Sequence, residues 1–146
     1  MRIATDMAER APALLDSSAA LALVLADHPA HEATTRALSG RPIGLAGHAW
    51  FETYSVLTRL PGAMRRSPTA VGRLLRENFP GSGFLDASVA ADLSVELARL
   101  GIAGGSVYDA LVGAAARQRA LPLVSADFRA RATYEALGID VEWVTG

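Results

Sequence analysis

The stretch ALLDSSAALALVLA, Ala13–Ala26, decides the architecture. Ala13 to Leu15 reads as a brief strand whose carboxyl end delivers Asp16, and Ser17 and Ser18 then open a helix through about Ala26. The same order returns near the end of the chain in LPLVSADF, Leu121–Phe128. A short buried strand from Leu121 to Val124 runs into Ser125, Ala126 and Asp127, followed by a helix to Gly138 and a last strand from Val141 to Val144. Strands separated by helices need crossover connections, which predicts a mostly parallel sheet covered on both faces.

Working outward, His31 to Leu38 is expected as a helix, and Ile43 to Ala46 as a strand before a helix from about His48 to Leu60. Ser67 and Pro68 form an N-cap with proline at the first helical position, opening a helix that carries Val71, Leu74, Leu75 and Phe79 on one stripe. Gly83 to Asp86 is expected as a further strand. Val89, Leu93, Leu97 and Leu100 step along the next helix until Gly101, and another helix runs from Ser106 to Ala120. The fold class is therefore α/β, a single domain with a mostly parallel central sheet of four to five short strands and helices on both faces. At 146 residues, 51% hydrophobic and 20% charged, the chain has the size and apolar content for one core. Residues 1–11 are polar and aperiodic, so they are expected as a flexible arm, with Met7 an alternative start and the domain spanning 12–146.

Composition excludes several chemistries. Without cysteine there is no disulfide framework, thiolate zinc site or cysteine nucleophile. All 14 cationic residues are Arg, and the net charge of −1 gives no global attraction to nucleic acid. Asp6, Glu9 and Asp16 disfavour a signal peptide around Leu14 to Ala26, and no apolar run is long enough to span a membrane; a soluble cytoplasmic protein is expected.

In an open parallel sheet, ligands bind beyond the carboxyl ends of the strands, where Asp16 and Asp127 are expected. Glu52 in the helix after Gly47 and Asp109 in the first turn after Ser106 could line the same crevice, with the small residues Gly113 and Ala116 leaving room for an ion and a substrate. Carboxylates brought together repel, and a hard divalent ion such as Mg2+ or Mn2+ relieves the repulsion through oxygen ligands. Each acid also has a plain structural explanation. Asp16 and Asp127 can cap the helices that follow them, Asp109 is spaced from Ser106 as in a capping box, and Glu52 can pair weakly with His48 or Arg59 on a solvated face. The joint placement of four acids from four segments is what those explanations leave over.

The chain resembles the PIN-domain ribonucleases, specifically the VapC-type toxins of bacterial toxin–antitoxin pairs, through LLDSSAALALVLADHPAH, HAWFETYSVLTRLP, GGSVYDALVGAAARQRALPLVSADF and YEALGIDVEWV. That family has an early Asp after a strand, a Glu in a later helix, an Asp opening a helix and a final Asp after a strand, matched by Asp16, Glu52, Asp109 and Asp127. Ser17 fits the pattern too, and Ser125 stands where Thr is common. The resemblance implies a PIN-like domain, a catalytic and metal-binding quartet of those acids with Mg2+ or Mn2+, and endonucleolytic RNA cleavage leaving 5′-phosphate and 3′-hydroxyl ends. Asp16, Asp109 and Asp127 would hold the metal, and Glu52 would ligate it or orient the water. A VapB-type antitoxin and a homodimer are also implied; the helices His48 to Leu60 and Ser67 to Phe79, whose Trp50, Phe51, Tyr54 and Phe79 are more aromatic bulk than one core needs, are the surface expected to receive the antitoxin.

Two arginine groups, Arg65, Arg66, Arg73 and Arg76, and Arg117, Arg119, Arg129 and Arg131, either grip phosphates or form solvated faces. His28 and His31 have a zinc-like spacing without further ligands, and His48 suits a helix start. An aspartyl-phosphate enzyme fits poorly because no Lys is present. A degenerate PIN-like module that binds a partner or RNA is the non-enzymatic alternative.

Overall fold

The computed structural model describes residues 11–145. Four strands, β1 (Ala13–Leu15), β2 (Ile43–Leu45), β3 (Leu123–Ser125) and β4 (Val141–Trp143), form a sheet in the order β2-β1-β3-β4, with every pairing parallel. Among the described residues, seven α-helices connect and cover it: α1 (Ser17–Val24), α2 (His31–Leu38), α3 (Ala49–Thr58), α4 (Pro68–Asn78), α5 (Ala87–Leu100), α6 (Ser106–Gln118) and α7 (Arg131–Ala136). The expected fold class is what forms. Of the arm expected over residues 1–11, all but Ala11 lies outside the described residues; the Ala11 carbonyl accepts a 2.8 Å hydrogen bond from Arg41 Nε.

Strand alternation separates two cores. Ala13, Leu15 and Val124 pack with Leu57, Val71, Leu75 and Phe79 from α3, α4 and the residue closing α4. Leu14 and Leu123, pointing the other way, pack with Val112, Ala115, Ala116 and Tyr134 from α6 and α7. A smaller cluster of Leu93, Ala110, Ala114 and Leu137 fastens α5 to α6. Ser67 caps α4 as its sequence predicts, accepting a 3.2 Å hydrogen bond from the Ala70 amide ahead of Pro68.

The strand expected at Gly83–Asp86 does not form. Its remnant is a single parallel bridge between Ala46 and Gly83, preceded by Gly81 N–H donating to the Ile43 carbonyl at 3.0 Å. The Ser82 hydroxyl takes the Leu45 N–H at 2.8 Å, so a side chain replaces the backbone ladder there, and Phe84 then leaves the sheet for solvent. The expected aromatic surface also changes. Phe79 is 1% exposed and belongs to the first core, while Trp50 and Tyr54 pack partly buried against it, leaving Phe51 as the exposed ring of that group.

At Gly44 the segment 81–83 passes so close that a Cβ would overlap the Gly81 and Ser82 backbone. We expect Gly44→Ala to cost about 3 kcal/mol because backbone must move to admit the methyl group. Gly40→Ala, where a Cβ meets open space but φ is +74°, should cost nearer about 1 kcal/mol. Denaturant unfolding of the two variants would show this order, and equal losses would mean the 81–83 segment yields freely.

Candidate active site

The strand order creates the site. The chain moves from β1 outward to β2 on one side, and from β3 outward to β4 on the other, so the carboxyl ends of β1 and β3 flank a topological switch point. Asp16 follows β1 directly and Asp127 lies two residues beyond β3.

Asp16 is buried, 4% exposed, and the capping role expected for it is present. Oδ1 caps α1 by accepting from the Ala19 amide at 3.0 Å and also accepts from the Ser18 hydroxyl, while Oδ2 accepts from the Tyr134 hydroxyl at 3.0 Å. Burial raises its pKa, and the hydroxyls of Ser125 and Ser18, the Ala19 amide and Tyr134 only partly offset this. Tyr134 is itself buried, and desolvation together with the adjacent Asp16 keeps its phenol protonated, so it stays a donor. Ser18 also accepts from the Ala126 amide at 2.8 Å and lies 3.4 Å from the Ser125 hydroxyl, tying the ends of β1 and β3 together.

Glu52 sits in the first turn of α3 and Asp109 in the first turn of α6, both half-buried. The Glu52 carboxyl is pushed up to about 7, mainly by burial and then by the charges of Asp109 and Asp16. Asp109 is raised for the same reason, burial first, then Asp127 and Asp16, with Arg129 opposing. Glu52 and Asp109 therefore each feel Asp16 and one further acid. Among the described residues Glu52 has no ion pair with Arg59, although both line a cleft of about 370 Å³ with Ser17, His48, Phe51, Ser55 and Val56. The capping box expected for Asp109 is absent: α6 opens at Ser106 behind Gly105, and no side chain caps it. Asp127 does cap the turn Phe128–Ala130, accepting from the Arg129 amide and from Arg129 Nε, each at 3.1 Å.

Among the described residues no three acidic or histidine side chains stand close enough to close a metal coordination shell. The donor set nonetheless fits a hard divalent ion in its chemistry. Asp16, Glu52 and Asp109 supply carboxylate oxygens without a cationic partner among the described ion pairs; burial raises all three, and neighbouring acids raise Glu52 and Asp109 further. Gly113 and Ala116 do not leave room for an ion, contrary to their expected role. A Cβ on Gly113 would press on Ile139 and Tyr134, and Ala116 is fully buried in the second core. Their smallness instead lets α6 approach Tyr134, which carries the hydroxyl to Asp16.

Ser18 and Tyr134 were not legible as site residues. Ser18 is one of two adjacent serines, and Tyr134 lies 118 positions from Asp16. The histidines take local roles. His28 Nδ1 accepts from the Ala30 amide at 3.0 Å, and His31 Nδ1 donates to the Ala22 carbonyl at 2.8 Å. Of the arginines, Arg117 binds Glu96 at 2.7 Å and the Leu137 carbonyl, Arg131 binds Glu135 at 2.8 Å, and Arg73 faces Glu77 at 3.7 Å.

The PIN domain family matches this chain over residues 13–136. Ribonuclease VapC27 of Mycobacterium tuberculosis is 42% identical over 130 residues, covering 89% of this chain and 95% of its own. Ribonuclease VapC40 of the same species is 43% identical over 132 residues, covering 89% of this chain and 97% of its own. No solved structure matches significantly. With buried and half-buried acids gathered at the switch point of a parallel sheet, and with relatives of this identity across nearly their full length, the chain belongs to the PIN-domain family, among the VapC-type ribonucleases.

Proposed function

We propose that the protein is a metal-dependent endoribonuclease, the toxin of a toxin–antitoxin pair, with Asp16, Glu52, Asp109 and Asp127 as its catalytic and metal-binding residues. The observation that carries this reading is three carboxyls raised by burial at one switch point, with Asp16 adding to the rise of both Glu52 and Asp109, and none of the three in an ion pair among the described residues. Kinship with proteins named ribonucleases supports RNA as the substrate. Bound Mg2+ or Mn2+ would supply the Lewis acidity that lowers the pKa of the attacking water and offsets the phosphate charge.

The chain's own residues divide the remaining work. Asp16, locked by Ser18, Ala19 and Tyr134, presents a carboxylate that cannot swing away. Asp109 and Asp127 complete the acidic wall, Asp127 held by the Arg129 amide and Nε at 3.1 Å each. Glu52 orients the water or accepts its proton, a role suited to a carboxyl pushed up to about 7. Attack on phosphorus with departure of the 3′-oxygen leaves a 5′-phosphate and a 3′-hydroxyl. An RNase of this kind needs restraint in its host, which supports a VapB-type antitoxin; a homodimer and a cytoplasmic setting accompany the reading. Among the described residues no helix is long and apolar enough to cross a membrane.

Asp16→Asn, Asp109→Asn and Asp127→Asn should each lower Mg2+-dependent RNA cleavage by at least about 100-fold with an unchanged circular dichroism spectrum, and EDTA should do the same to the wild type. Glu52→Gln should lower cleavage by about 10²- to 10⁴-fold. Near-normal, chelator-sensitive cleavage by any one variant would return that residue to a capping or surface role. EDTA-resistant cleavage would remove the metal from the mechanism.

The raised Glu52 carboxyl also gives stability a pH dependence of defined sign. Below about pH 4.5 the group is neutral folded and unfolded; between there and about 7 the folded state holds the extra proton; above about 7 the cost of the buried charge is complete. Without divalent ions, the wild-type Tm should therefore fall across this window, and Asp16 and Asp109 add the same sign. Glu52→Gln should flatten the fall and melt higher than wild type at pH 8, while Mg2+ should raise the wild type more than the variant. Superimposable melting curves for the two proteins would show that Glu52 carries no such penalty.

A further inference from the structure

Four rings form a connected array beside the acidic crevice. Phe51 on α3 is 56% exposed, Phe84 in the connection after β2's bridged segment 51%, and Tyr108 on α6 52%. His48 joins them: its ring stacks on Tyr108 with centroids 5.2 Å apart and planes 21° apart, and it lies 6.2 Å from Phe51, which in turn lies 5.7 Å from Phe84. None of the four belongs to the described core clusters. Two of the rings adjoin candidate catalytic acids in the chain, Phe51 before Glu52 and Tyr108 before Asp109, and His48 and Phe51 line the cleft that contains Glu52. Rings of this size left in water cost free energy unless something covers them, and here they come from three separate segments that only the fold unites.

Charge argues for what covers them. The crevice is acidic, the chain carries a net charge of −1, and Arg59 is the cation lining the cleft. Next to the acids a polyanion gains little from charge, so the part of a nucleic-acid substrate lying there needs contacts that do not depend on charge. Base stacking on aromatic faces is such a contact; it tolerates any base and is worth about 5- to 150-fold in affinity per base. The patch is built of flat rings with a phenol hydroxyl and an imidazole at one end, which suits planar heterocycles with polar edges. We propose that His48, Phe51, Phe84 and Tyr108 are a stacking platform for unpaired bases of single-stranded RNA, laying the neighbouring phosphodiester against the carboxylates. The inference rests on the ribonuclease reading and specifies the form in which that site takes its substrate.

Binding measured apart from cleavage tests it. Fluorescence anisotropy at low salt in EDTA would compare a labelled single-stranded oligoadenylate with an abasic ribose–phosphate oligomer of equal length. The wild type should prefer the base-bearing strand, and Phe84→Ala and Phe51→Ala should each weaken it by about 5- to 150-fold while leaving the abasic oligomer unchanged. Phe84→Trp should preserve binding and Phe84→Leu should not, which separates ring stacking from apolar bulk; circular dichroism controls for folding. Equal binding of the two oligomers by the wild type, no binding of either, or unchanged oligoadenylate affinity in the alanine variants would overturn the platform. If those variants bind RNA normally but lose affinity for the antitoxin, the patch is a protein-docking surface and the proposal is wrong. A wild type that shows the stacking pattern yet cleaves nothing on adding Mg2+ would sink the ribonuclease reading alone, whereas active cleavage with indifferent ring variants would sink the platform alone.

Discussion

A carboxylate placed where water scarcely reaches it is the constraint on which the site depends. Asp16 ends the central strand, is 4% exposed, and finds hydrogen-bond donors but no cation among the described residues. Donors stabilise its charge only in part, so the carboxyl keeps a raised pKa. The folded chain thus maintains an unmet demand for positive charge at one point of an otherwise well-satisfied interior. Glu52 and Asp109 enlarge that demand instead of meeting it.

Holding such a group needs rigid surroundings. β1 lies between β2 and β3, and its residues pack into both cores, so Asp16 cannot move without disturbing either. The Ser18 hydroxyl, touching Asp16 and accepting from the Ala126 amide, links the strand ends that the switch point separates. Tyr134 closes the far side, and its approach depends on the absence of a side chain at Gly113. Capping and orientation are therefore one arrangement at this residue: the hydrogen bonds that stabilise the start of α1 are among those that fix the carboxylate's direction.

Part of the positive charge is contained, while Arg36, Arg59, Arg65, Arg66, Arg76 and Arg119 enter no ion pair among the described residues. Arg117 is bound to Glu96 and to the Leu137 carbonyl, and Arg131, Arg73 and Arg129 each meet a nearby acid. Exposed pairs of this sort add little stability, but they reduce the free charge that a phosphate backbone would use. What the surface does offer beside the acids is aromatic area, at Phe51, Phe84 and Tyr108, with a second stack of Phe128 on Trp143 at 4.6 Å following Asp127.

By itself the sequence determined the elements and their order. Apolar triplets ending in Asp16 or leading to Asp127, the Ser67–Pro68 start of α4 and the stop at Gly101 are local signals, and local backbone preferences and periodicity carry them into structure. It also singled out Asp16, Glu52, Asp109 and Asp127, because their residue types and spacing match a family pattern. Where it erred, a tertiary partner had decided. Gly83–Asp86 has strand composition, but Ser82 intercepts the Leu45 amide and leaves one bridge. Phe79 looked like surface aromatic bulk until α4 folded onto the first core, and Gly113 looked like space until Tyr134 occupied it. The side chains that orient Asp16 and the exposed rings around Glu52 and Asp109 are joined across long separations in the chain, and contacts of that kind follow from how layers pack, which no local pattern of residues encodes.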